Sequence, residues 1–234
     1  MLYTPRWYHQ FKETIDRRPN SVVKLIENTA DKKGIENFLG TAFYLNGALG
    51  AAFNTKEVSI SASVLVQKPD FSNLPEIQVP VMNPDIVRWM LLMGQMDKPT
   101  TDDEEVIYKL YYKFFSAAMP KAKLLIPLNA TSGFPDKSQG ANSFVLKEDA
   151  KFSIPVREGK DGRNSVPVFT DWKRLRMVFD EKWNGMIEEA GGMIEGFDYA
   201  INPTEYYEAG AYVSLTAFKE MQKFSEELEG RDKD

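Results

Sequence analysis

Cysteine is absent from the 234 residues, and histidine occurs once, as His9. The first absence excludes disulfides, thiolate nucleophiles, iron–sulfur clusters and cysteine-ligated zinc. The second leaves any Ser-His-Asp hydrolase or histidine zinc site dependent on one imidazole near the N-terminus, where a surface or packing role is usual. No metal and no cofactor are therefore expected. Long apolar runs are missing too. The most apolar stretch, Ala42 to Phe53, is broken by Asn46, Gly47 and Gly50, and falls short of the ~18 apolar residues of a spanning helix. The opening MLYTPRWYHQFK has no apolar core of the secretory-signal kind. A cytoplasmic protein without a membrane partner is the expectation.

Positive charge is in deficit. There are 29 Lys and Arg against 34 Asp and Glu, a net charge of −5, with the signs interspersed. Nucleic-acid binding needs a basic footprint, and none stands out, so no nucleic-acid partner is expected. The best local cluster, Lys173, Arg174 and Arg176 beside Trp172, reads as a solvated helix face. Catalytic pairs are lacking as well. Glu104-Glu105, Glu188-Glu189 and Glu226-Glu227 are sequence neighbours, which on a helix do not face one another. Gly47-x-x-Gly50 is no phosphate loop, and Gly191-Gly192 lacks dinucleotide-binding spacing. No catalytic residue is assigned.

What is present is an ordinary globular composition, 43% hydrophobic, with 15 Phe, 10 Tyr and 4 Trp to place in a core. In the N-terminal third, Trp7, Phe11 and Ile15 recur at helical spacing, and Pro19-Asn20-Ser21 reads as a stop and a new cap leading into Val22 to Ile26. Asn46-Gly47 between apolar runs favours a hairpin over a helix. Glu57 to Gln67 alternates as a strand, and Glu76 to Val81 reads as another.

Beyond it, Asn83-Pro84-Asp85 starts a helix, with an acceptor at the cap and Pro at the first helical position. Thr101 and Glu104 have capping-box spacing. The helix that follows is expected to bury Val106, Ile107, Leu110, Tyr111, Phe114, Phe115 and Ala118. Leu124 to Leu128 is a strand and Asn129 to Asn142 a long loop. Phe144 to Leu146, Phe152 to Val156 and Val166 to Phe169 form an antiparallel meander. Thr170 or Asp171 caps a further helix, Phe197 to Ile201 is a strand closed by Asn202-Pro203, and Ser214 caps the last amphipathic helix.

The order of these parts is informative. A helix opening on Asn83-Pro84 is followed by a second helix and a strand with Leu125-Ile126-Pro127. A meander then ends in Val166-Pro167-Val168-Phe169-Thr170-Asp171-Trp172, and a later strand in Ile201-Asn202-Pro203. Over residues 80–222 this order resembles the N-terminal domain of the SseB (enhanced serine sensitivity) family. The resemblance implies an α/β (α+β) fold, with a mixed or antiparallel central sheet and flanking helices. It also implies a bacterial source and an activity that the family name leaves unassigned. Residues 1–75 have no counterpart and are expected to form an N-terminal extension of helices and a β-hairpin or meander. Residues 80–228 would form the main domain, and 229–234 a frayed tail.

Two motifs are candidate ligand or partner contacts: Phe169, Thr170, Asp171 and Trp172 at one strand end, and Asn202, Pro203, Tyr206 and Tyr207 at another. Strand ends beside helix N-termini offer free N–H groups to ligands, and tyrosines suit recognition surfaces. The competing reading is structural: Thr170 or Asp171 caps a helix, Phe169 fills the core and Asn-Pro starts a turn. The expected function is a non-catalytic binding or regulatory module for a protein or small ligand. The alternatives are an enzyme without His or Cys chemistry, and an immunity-type protein neutralising a partner.

Overall fold

The computed structural model describes residues 1–17, 23–28, 33–54, 58–96, 98–132, 151–158, 162–192, 194, 196–204 and 210–231. They divide into two compact units, Met1–Asp70 and Phe71–Asp234.

In the first unit, α1 (Pro5–Asp16) begins with Pro after Thr4, whose hydroxyl accepts from Trp7 N–H, and it buries Ile15. Val23 to Asn28 have no regular structure, in place of the expected helix; Pro19 to Val22 lie outside the described residues. The next helix is α2 (Gly34–Gly40), which widens into a π-helical turn over Thr41–Leu45. The hairpin expected around Asn46-Gly47 is not formed. A type I′ turn needs positive φ at both residues, but Asn46 sits at φ −95° and Gly47 at 77°. The pair ends a helix, with glycine just past its last turn. Strand β1 (Gly50–Ala52) then pairs antiparallel with β2 (Ser59–Ser61). The strand expected over Glu57 to Gln67 is cut short, because Ala62–Leu65 turn into a short helix, α3. Its alternating face has no layer to pack on: Val58 and Val64 are exposed.

In the second unit the chain enters through a 3-10 turn at Glu76–Gln78, where a strand was expected over Glu76 to Val81. Helices α4 (Pro84–Met96) and α5 (Asp102–Ala118) follow. The Thr101–Glu104 capping box is formed in both directions. Strand β3 (Lys123–Ser132) runs further than the sequence pattern indicates. It pairs with β4 (Lys151–Ser153) on one side. Phe144 to Leu146 lie outside the described residues. Short β5 (Arg157–Glu158) and β6 (Asn164–Val168) are antiparallel partners. Of the strand expected from Phe152 to Val156, only Phe152 and Ser153 are in a strand, β4, and residues 154–156 have no regular structure. After β6 come α6 (Trp172–Val178), β7 (Asn184–Glu189), β8 (Asp198–Ile201), β9 (Ala211–Val213) and α7 (Leu215–Arg231). Helix α7 carries on to Arg231.

The strands form a three-stranded sheet, β4-β3-β7, and a four-stranded mixed sheet, β5-β6-β8-β9, in which β6 and β8 are parallel. Phe169 joins the two sheets by exchanging both backbone hydrogen bonds with Leu125, at 2.9 Å each. The fold is thus α+β, with a mixed sheet arrangement flanked by helices. One buried cluster, including Val87, Phe115, Met119, Leu124, Ile126, Val168, Tyr199 and Phe218, lies between the sheets and α4, α5 and α7. A smaller one of Val81, Leu125, Phe169 and Leu175 lies under α6.

Candidate functional site

The two candidate motifs meet at the joined ends of the parallel strands β6 and β8. Parallel pairing of Val168 with Ile201 brings the residues after each strand side by side. Asn202 N–H donates to Val168 O at 2.8 Å, and Thr170 N–H to Asn202 Oδ1 at 3.0 Å. Asn202 can turn here because it adopts φ +46°, a left-handed conformation that asparagine tolerates better than most residues. Its amide donates to Thr170 Oγ1 at 3.0 Å, and that hydroxyl donates to Asp171 Oδ2 at 2.9 Å.

Asp171 caps α6 by accepting from Arg174 N–H at 3.0 Å. Its other oxygen holds the Arg174 guanidinium at 2.6 Å. From the far side, Asn83 Nδ2 donates to Thr170 O at 2.8 Å and to Lys123 O at 2.6 Å, tying the start of α4 to β3 and β6. Thr170, Asp171 and Asn202 are only 0, 2 and 2% exposed. These groups form a closed polar lattice inside the protein. Phe169 is fully buried, meets Phe179 edge to face at 5.8 Å, and fills the smaller core.

The basic cluster on α6 is not a solvated face. Arg174 is buried against Asp171. Arg176 donates to the carbonyls of Asp180 at 2.6 Å and Trp183 at 3.0 Å, and its guanidinium lies 5.2 Å from the Trp172 ring. Only Lys173 of the three is exposed. Trp172 itself is half-buried against β7.

Outward from the lattice the surface opens. An open cleft of about 330 Å³ is lined by Arg157 on β5, Met177 and Val178 at the end of α6, and Pro203 and Thr204 after β8. Pro203 is thus the candidate residue that reaches the cleft, while Thr170, Asp171 and Asn202 stand behind it. Tyr206 and Tyr207 lie outside the described residues. No motif in the sequence pointed to Arg157, Met177 or Val178, because the lining residues come from three separate segments. One cue did exist: Thr204 directly follows the Asn202-Pro203 motif. Among the described residues, the lining holds one ionisable side chain, Arg157, and no carboxylate.

A second polar group lies on the same sheet. Asp198 accepts from Leu215 N–H at 2.7 Å at the start of α7, accepts the Tyr212 hydroxyl, and sits 3.5 Å from Arg163 Nε. Beside it, burial raises the Tyr199 phenol above its usual pKa, and the charge of Asp198 adds to the shift. Four surface carboxylates are held below their usual range. Lys12 lowers Asp16, Lys123 lowers Glu76, Lys109 lowers Glu105, and the Thr100 N–H lowers Glu104. His9 is exposed on α1. Among the described residues, no group of three or more His, Asp or Glu stands ready to hold a metal ion. No described helix is long and apolar enough to cross a membrane.

Residues 111–190 match the family model of the SseB protein N-terminal domain, so the SseB resemblance holds over that stretch. The matched residues run from the second half of α5 through β7 and include Phe169 to Trp172, whereas Asn202-Pro203 falls beyond them. No curated protein and no solved structure matches the chain.

Proposed function

We propose that the chain is a non-catalytic binding module of SseB type, and that the cleft bounded by Arg157, Met177, Val178, Pro203 and Thr204 is where it takes a protein segment or small ligand. The carrying observation is the sequence of layers: the cleft wall at Pro203-Thr204 continues directly from Asn202, which the buried lattice holds in place. A rigid support behind an open rim suits recognition, because little ordering of the protein remains to be done on binding.

The chemistry of the lining points the same way. Met177, Val178 and Pro203 supply apolar contact, Thr204 a hydroxyl, and Arg157 a planar cation fitted to a carboxylate or phosphate.

The test compares co-purified partners of the wild type with those of Arg157→Glu and Thr204→Arg. Arg157 is exposed and Thr204 half-buried at the cleft rim. The thermal midpoint should stay within about 2 °C for Arg157→Glu, since surface substitutions usually move stability by less than ~0.5 kcal/mol. The Thr204→Arg result is read against its own measured midpoint. The expected outcome is loss of the specific partner at unchanged stability. Retention of that partner by both variants would remove the cleft from consideration.

A further inference from the structure

Among the described residues of the second unit, nothing fully covers an apolar stripe on helix α5, against the burial that its periodicity implies. Val106, Ile107, Leu110 and Phe114 are 66, 42, 47 and 44% exposed. Ile107, Leu110 and Phe114 are spaced by three and four, the spacing of a helix–helix seam. Of these four, Phe114 is partly engaged by α4. Trp89 of α4 stacks on Phe114 at 4.7 Å and on Tyr111 at 5.9 Å, and Ser225 of α7 donates to Ala117 O at 3.2 Å.

The charges on α5 say what fits over this stripe. Asp102, Asp103, Glu104 and Glu105 fill the first turn, and Lys109 and Lys113 come later. Asp102 and Lys113 are three helical turns apart and share one flank of the stripe. A parallel second copy would set four carboxylates against four. An antiparallel copy reverses this. With Ile107 over Leu110 of the second copy, Lys113 is level with Glu104 of that copy and about 3 Å along the helix from Asp102, and the twofold axis repeats the arrangement. The two helix dipoles also oppose each other favourably.

We infer that two copies of this chain associate through antiparallel packing of α5 on α5, with Val106, Ile107, Leu110 and Phe114 as the seam and Asp102 with Lys113 on its flank. One helix per copy is a small contact, so the dimer is reversible and depends on concentration. The inference is independent of the cleft.

Sedimentation velocity of the full chain over a hundredfold concentration range tests it. The wild type should pass from monomer to dimer, and Leu110→Glu should remain monomeric with its thermal midpoint unchanged. Asp102→Lys and Lys113→Asp should each weaken dimerisation about tenfold, and the double variant should regain most of the loss. The chain contains no cysteine, so orientation can be read directly. Leu110→Cys, close to the twofold axis, should oxidise to a linked dimer. Asp103→Cys should not, because the antiparallel register separates its two copies by roughly 16 Å along the helix. A wild type that stays monomeric throughout overturns the inference, whether the stripe is bare or covered by another part of the chain. So does a dimer that survives Leu110→Glu, or equal cross-linking at both cysteine positions.

Discussion

Asp171 does three jobs with two oxygens: it caps α6, accepts from Thr170 and neutralises buried Arg174. A buried ion pair is weak evidence of net stabilisation, but removing one partner leaves the other charge stranded at a cost of ~3–5 kcal/mol. Asp171→Ala should therefore lower unfolding stability by about that much in urea titration. The double variant Asp171→Ser with Arg174→Met should recover most of the loss, since Ser keeps a cap and Met fills the volume. Thr170→Val should cost ~1–3 kcal/mol by orphaning the Asn202 amide. Tyr199 gives a pH signature. Its folded pKa is raised from the usual 10.0 by burial. The linked stability is therefore complete below about pH 10 and is lost as pH rises through the folded pKa. Tyr199→Phe should show a shallower alkaline decline than the wild type, and parallel declines would contradict the assignment.

Among the elements, those with strong local chemistry were legible in the sequence. Pro84 and Asp85 at the start of α4, the Thr101–Glu104 box of α5, and Ser214 at the start of α7, whose hydroxyl accepts from Ala217 N–H at 3.1 Å, all stand where the residues indicated. Thr101→Ala should lower stability by ~1 kcal/mol. Elements that depend on distant partners were not legible. Val58 to Val66 alternates like a strand, but β1 offers only three residues to pair with. Asn46-Gly47 suits a hairpin locally, but the helix before it sets Asn46 at negative φ. Phe169 to Asp171 and Asn202 come together because parallel β6 and β8 align their ends; their burial depends on Asn83 and Arg174, which sequence spacing does not connect. Gly185 on β7 shows the same dependence on packing. A Cβ there would meet the Trp172 ring at 2.6 Å, so Gly185→Ala should cost ~1–3 kcal/mol. Combining it with Trp172→Phe should shrink that penalty, which thermal melts can read.

For the whole molecule, both buried clusters of the second unit are built from residues between Val81 and Met221. A chain beginning at Phe71 should accordingly unfold cooperatively on its own, with a circular dichroism spectrum of mixed helix and strand; a non-cooperative melt would refute that independence. The polar lattice links α4, β3, β6, α6 and β8 across this unit, so opening it means breaking the fold. That separates an internal support from a ligand site, which would open under native conditions. Native-state hydrogen exchange of the Thr170 and Arg174 amides, both bonded to lattice side chains, measures the difference most directly. Both should exchange only with the free energy of global unfolding. Exchange as fast as that of surface-loop amides, at full global stability, would show that the lattice opens in the native protein and would contradict its role as a closed support.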